Sequence, residues 1–275
     1  MDFRIINGEI LKSDEINLSY LLYNNPLILS QKFWYGYGGL PLFFENLLLL
    51  NSQIKVLHLP VPDLLKNHRE LYRIIKRMLN KNKFYRSGFV NIQLFWHGTK
   101  HNLLIDSSSF SGFEFPYFKQ GLLINYTKLK KYSENPFGKY AFYNKPLWES
   151  VENGNIKSVY SNSIFLNDKN VICDCVNANI FMIKDKVLYT PALSTGCYED
   201  SLRAVILEIA HSVKLKIHET ITLRKENVLA MDEIFLAGEE YGIHRVLGVD
   251  KKRFVHHFSN IIHEKVNEYL KGKVV

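Results

Sequence analysis

Residues 171–210, VICDCVNANIFMIKDKVLYTPALSTGCYEDSLRAVILEIA, constrain this chain more than any other stretch. The spans 171–175 and 179–183 alternate as short strands, and the turn KDK leads into a third, VLYTP. Pro191 ends that strand, and small and polar residues carry a loop through Gly196. From Asp200 the apolar spacing changes from two to three and four, so Leu202, Val205, Ile206, Ile209 and Val213 share one helical face. Asp200 or Ser201 caps that helix, whose amide dipoles then point back into the loop. Strands feeding a loop that ends on a helix N-terminus predict an anion pocket.

The remaining chain supplies ample material for a core. It has 275 residues, 47% of them hydrophobic, enough for one large domain or two smaller ones. Its richest apolar run, residues 40–50, contains Glu45 and Asn46, so no membrane span is expected. The start MDFRIINGEI lacks a basic end and an apolar core, which argues against a signal peptide and for the cytoplasm. Three cysteines are an odd number, and Cys173 and Cys175 should point to the same side of their strand. No second pair has zinc-ligand spacing, so the expectation is a reduced protein without a metal site. The formal net charge is +8, but the basic residues are scattered, which describes a solvated surface and not a nucleic-acid site.

Taken in order, residues 2–10 predict a strand pair around Asn7-Gly8. A strand, a turn and a helix follow in LLYNNPLILSQKFWYGYGGLPLFFENLLLL. Residues 63–82 predict one amphipathic helix, with Asp63 as its cap and Leu71, Ile74, Ile75, Met78 and Leu79 on one face. Residues 89–96 alternate as a strand that delivers HGTKH at its end. From 106 to 120 the chain turns Ser-, Gly- and Phe-rich without periodicity, and is expected to link two domains. EIFLAG (233–238) predicts a late strand, and 254–270 a final helix stopped by Gly272.

The run from Val171 resembles the class IV aminotransferases, the pyridoxal-phosphate enzymes that include branched-chain and D-amino-acid aminotransferases and aminodeoxychorismate lyase. Val171, Asn179, Ile180, Phe181, Lys184, Thr190, Pro191, Leu193, Gly196 and Arg203 fall in register with that family's pattern. Upstream, Asn7-Gly8 is similar to the family's opening hairpin, and Gly38, Leu40, Pro41, Leu47 and Leu50 match its first strand, turn and helix. The polar positions of that segment depart: Gln31 stands for a Glu, Asn46 for a His, and Leu49 for an Arg that reaches the cofactor phosphate. Asp200 replaces the helix-starting Gly, and Ala237, with Gly238 beside it, takes the place of a Thr or Ser phosphate ligand.

The resemblance implies an α/β, two-domain class IV aminotransferase-like fold. A smaller α/β domain (1–112) would join a larger C-terminal pseudo-barrel domain (119–275) through a linker (113–118). It implies pyridoxal 5′-phosphate as cofactor and a homodimer. Asn135, Pro136 and Lys139 match the family's lysine motif best, so Lys139 is the expected catalytic lysine, with Lys145 as fallback. Implied cofactor contacts are Asp174, in the place of the Glu that meets the pyridine nitrogen, with Asn179, Ser201 and Gly238. His97, Lys100 and His101 would form a cationic substrate site. The expected activity is an aminotransferase or lyase acting on a small amino acid or keto acid. The alternative is a non-catalytic relative that has lost the cofactor phosphate site.

Overall fold

The computed structural model describes residues 2–156 and 158–274. The chain divides into two compact units: the first runs to Phe115 and takes in the chain again from Leu270, and the second is Pro116–Tyr269.

The first unit contains β1 (Phe3–Ile6), β2 (Glu9–Lys12), α1 (Ser19–Leu22), β3 (Leu27–Tyr35), α2 (Phe43–Val56), α3 (Asp63–Lys66), α4 (His68–Lys81), β4 (Ser87–His97) and β5 (Lys100–Phe110). Its strands form one antiparallel sheet in the order β2-β1-β5-β4-β3. Asn7 (φ 48°) and Gly8 (φ 97°) both take the left-handed region, as a two-residue hairpin turn requires. Leu29, Phe33, Val90, Ile92, Leu94 and Ile105 are fully buried on its strands.

Two expectations change here. The helix of 63–82 is broken, because the Asn67 side chain accepts from Glu70 N (3.2 Å) and caps α4 itself, while Asp63 pairs with Lys66 in α3. The aperiodic stretch from 106 is also partly strand. Ladder pairing with β4 carries β5 on through Ser107, Ser108 and Ser109 to Phe110, because a long partner strand satisfies the backbone whatever the side chains.

The second unit contains β6 (Tyr117–Lys131), α5 (Ala141–Asn155), β7 (Asn162–Asn167), β8 (Ile172–Cys175), β9 (Asn179–Lys184), β10 (Val187–Pro191), α6 (Ser201–Ser212), β11 (Lys216–Thr220), α7 (Lys225–Leu229), β12 (Glu233–Gly238), β13 (Gly242–Val249) and β14 (Lys252–Arg253). The last helix, α8 (Phe258–Lys273), begins in it. The sheet order is β11-β10-β9-β12-β13-β6-β7-β8, with β14 on β13. Ile172 N donates to Leu223 O (2.8 Å), which ties the β8 edge to the segment just after β11. The sheet therefore curls most of the way round on itself, as the expected pseudo-barrel does. Ile124, Ile164, Ile172, Cys175, Ile180, Met182, Ile234, Leu236 and Val246 form one core. Ala141, Trp148, Val151, Phe165, Cys173, Val176, Cys197 and Tyr198 form another, against α5.

Cys173 and Cys175 thus lie in different clusters and not on one side. The β7–β8 ladder pairs Ile164 with Cys175 but Leu166 with Ile172, and this irregularity breaks the period-two alternation. The final helix begins at Phe258 and not at 254, because Val255 still bridges to Glu233 in the sheet. It also runs through Gly272, ending with Lys271 and Lys273 in its last turn, where they complement the helix dipole.

Candidate active site

The site is built where β8 meets the loop after β10. The irregularity in β8 lets consecutive residues reach the same segment: Cys173 Sγ donates to Thr195 O (3.2 Å), and Asp174 Oδ2 accepts from Tyr198 N (2.6 Å). Lys131, the last residue of β6, donates to the same Asp174 oxygen (2.5 Å), and both side chains are fully buried. Burial pushes the Asp174 carboxyl above the usual carboxylate range, and the Lys131 ammonium and the Tyr198 amide pull it back. Its other oxygen, Oδ1, is buried and meets no hydrogen-bond partner among the described residues. An unmatched carboxylate oxygen in the interior is costly unless a ligand donor completes it.

Asn179, at the start of β9, holds the same loop by donating to Tyr198 O (2.7 Å). Tyr198 is buried edge-on against Trp148 of α5, with ring centroids 5.0 Å apart. Burial, and then the carboxylates of Asp200, Glu240, Glu239 and Asp174, keep its phenol protonated. Lys139, just before α5, pairs with Glu199 (3.1 Å) and has a side chain 41% exposed. Burial alone would lower its ammonium pKa, but the Glu199 hydrogen bond and charge, with Tyr140, raise it above the usual lysine value. Lys145 lies further along in α5 and is partly buried.

The helix-end pocket has a different content. Asp200 caps α6 by accepting from Leu202 N (2.9 Å), and it also accepts from Glu239 N (3.1 and 3.2 Å), just beyond β12. Ser201 donates to the buried carboxylate of Glu239. Gly238 ends β12, where an added Cβ would come within 2.8 Å of Asn177 O. Arg203 is turned away, held by Thr190 Oγ1 (2.8 Å), Pro191 O (2.8 Å) and Glu219 (2.7 Å).

Lys139, Asp174, Asn179, Ser201 and Gly238 therefore all belong to the second unit, most of them around residues 198–202. His97, Lys100 and His101 stand on the β4–β5 hairpin of the first unit, where His101 tilts against Trp96 (4.9 Å). Lys131 and Tyr198 were not singled out from sequence. Lys131 sat in the run KLKKY, whose lysines look like solvated surface.

A pyridoxal-phosphate cofactor has two ends to satisfy. The ring-nitrogen end fits, because Asp174 Oδ1 is a buried acceptor without a donor. The phosphate end does not fit, since the backbone amides there already bind Asp200 and the neighbouring side chains are acidic.

Residues 139–248 match the family model for amino-transferase class IV. A Rickettsia bellii protein assigned as a branched-chain-amino-acid aminotransferase is 25% identical over 118 residues, 41% of this chain and 40% of that protein. The aligned stretch thus spans two fifths of that relative's own length. Among solved structures, the Escherichia coli branched-chain amino acid aminotransferase superposes with a TM-score of 0.85 at 18% identity, covering 100% of this chain and 96% of that one. A Legionella pneumophila protein assigned as a 4-amino-4-deoxychorismate lyase gives 0.77 at 18% identity, covering 94% and 98%. None of these supports a non-catalytic relative. Residues 139–248 thus carry the signature of class IV amino-transferases, and the chain as a whole has the fold of these solved structures.

Proposed function

We propose that the chain catalyses amino-group chemistry on a small amino acid or keto acid, as an aminotransferase or a lyase, with a cofactor of the pyridoxal type. It would act in the cytoplasm as a homodimer. Among the described residues no helix is long and apolar enough to cross a membrane. The observation that carries the activity is the buried Asp174–Lys131 pair with one carboxylate oxygen left over.

When bound, such a cofactor supplies an electron sink for the bonds at the amino acid's α carbon. The chain's own groups are suited to that work. Lys131 pairs with Asp174 and opposes the effect of burial on its carboxyl, and Asp174 Oδ1 would accept the ring N–H of the bound cofactor. Lys139 is the amine that can attack a carbonyl and carry a proton at Nζ, and Glu199 holds it as ammonium at rest. Trp148 and Tyr198 wall the site with apolar surface and so exclude water.

Borohydride reduction tests this. With pyridoxal or pyridoxal 5′-phosphate present, peptide mapping should find a fixed adduct on Lys139, and Lys139→Ala should lose it. An adduct on Lys145 instead would move the lysine but keep the chemistry. No fixed adduct with either aldehyde in excess would remove the catalytic reading.

A further inference from the structure

The helix-end pocket is a built anion cup that the chain fills with its own anion. Two backbone amides from separate elements, Leu202 N at the start of α6 and Glu239 N beyond β12, converge on the Asp200 carboxylate. Glu239 itself is buried against Ser201, so a second carboxylate borders the first. The one arginine on this turn of α6, Arg203, is committed to Thr190, Pro191 and Glu219. A phosphate entering here would displace Asp200 and remain among acids. Like charges a few ångströms apart repel by about 1–4 kcal/mol, depending on exposure.

Close by, the chain keeps an acceptor that calls for a ligand. Asp174 accepts from Tyr198 N and leaves its buried Oδ1 unmatched among the described residues. Tyr198 and Asp200 are two residues apart in the chain, so their α carbons are at most about 7 Å apart. A pyridine aldehyde whose ring nitrogen meets Asp174 Oδ1 would therefore find acceptors, not donors, where its other end reaches Asp200 and Glu239.

We infer that this pocket takes pyridoxal, a pyridine aldehyde with a neutral hydroxymethyl arm, in preference to its 5′-phosphate. Asp174 Oδ1 accepts the ring N–H, and the carboxylates of Asp200 and Glu239 accept from the arm's hydroxyl. The inference rests on the pyridoxal-type chemistry proposed above and changes which form of the ligand the site selects.

The test titrates the full chain, freed of small molecules by dialysis, with pyridoxal and with pyridoxal 5′-phosphate, read by quenching of tryptophan fluorescence. Wild type should bind pyridoxal at least about tenfold more tightly. Asp200→Asn keeps an oxygen for the Leu202 amide and removes the charge. It should tighten pyridoxal 5′-phosphate binding by at least about tenfold, so that the preference for pyridoxal narrows by at least that factor. Wild type binding the phosphate form as tightly as pyridoxal overturns the inference and leaves the proposed function standing. Binding of neither aldehyde overturns both. A folded Asp200→Asn that leaves the ratio unchanged also overturns the inference. If that variant does not fold, as circular dichroism would show, the wild-type ratio alone decides.

Discussion

Asp200 and His244 are the buried residues whose protonation bears most visibly on stability, and they act in opposite directions. Burial raises the Asp200 carboxyl from 3.8 to about 6, with its hydrogen bonds to Glu239 N and Leu202 N opposing and the Glu240 charge adding to the rise. Between those values the folded chain holds more proton than the unfolded one, so stability falls as pH rises through the window. His244, stacked on Phe118 (4.0 Å) and tilted against Tyr241 (4.2 Å), is lowered by burial from 6.5 to about 4. There the unfolded chain holds more proton, and stability rises with pH. The two slopes offset each other in wild type. Asp200→Asn cannot titrate yet still caps α6, so relative to wild type it should gain stability as pH rises from about 4 to about 6. A shift of about two units corresponds to roughly 3 kcal/mol. Urea melts of both proteins at each pH would measure it, and a constant difference would mean that Asp200 does not titrate in the folded chain.

At this scale sequence went far, but not to the end. Asp174 and Lys139 were singled out through the resemblance, and the structure brings both to the segment of residues 198–199. Lys131 was hidden because a lysine in a basic run carries no mark of burial; only β6 extending as far as Lys131, opposite Asn167, sets it inside. Gln31 and Asn46 were seen as two separate departures from the family pattern. In the structure they meet, with Gln31 Nε2 donating to Asn46 Oδ1 (2.8 Å) and Gln53 Nε2 to Gln31 Oε1 (3.1 Å). Paired changes of this kind cannot be recognised before the strand and helix that carry them are packed.

Elements were legible where one face is buried and the period is unbroken. The strands β9 and β10 and the helix α6, with Asp200 as its cap, lie where the spacing predicts them. Boundaries shifted where a distant group supplied the cap, and α8 shows this best. Glu233, buried in β12, accepts from the backbone N–H groups of His257, Phe258 and Ser259, each at 2.8 Å. Three donors of a helix N-terminus thus share one carboxylate, which fixes the start of α8 from across the sheet. Glu233→Ala should cost about 2–4 kcal/mol in a denaturant melt, because the amides lose a charged acceptor and the space left is poorly reached by water. Glu233→Gln keeps one acceptor oxygen and should cost less than Glu233→Ala. Equal losses for the two would show that the charge, and not the hydrogen bonding, holds the helix end.

At the scale of the whole molecule, α2 offers a surface for assembly. Phe43, Leu47, Leu50 and Ile54 bury one face of this helix, while Phe44 (60% exposed) and Leu48 (68% exposed) form a second apolar stripe at helical i, i+4 spacing. The sequence LLLL could not separate these faces, since a helix apolar all round looks the same whether its outer face meets solvent or another chain. On the edge strand β3, Leu27 and Ile28 are each 43% exposed, which adds apolar surface to the same unit. The proposed homodimer supplies a partner for such a surface, because a two-fold contact sets the same patch against itself. Leu48→Glu would then place two like charges near the axis and bury neither comfortably. Wild type should scatter light as a dimer at micromolar concentration, and Leu48→Glu should shift it toward monomer with its fold retained by circular dichroism. A monomeric wild type would remove the dimer. A Leu48→Glu protein that remains fully dimeric would place the two-fold contact elsewhere and leave the α2 stripe as ordinary exposed surface.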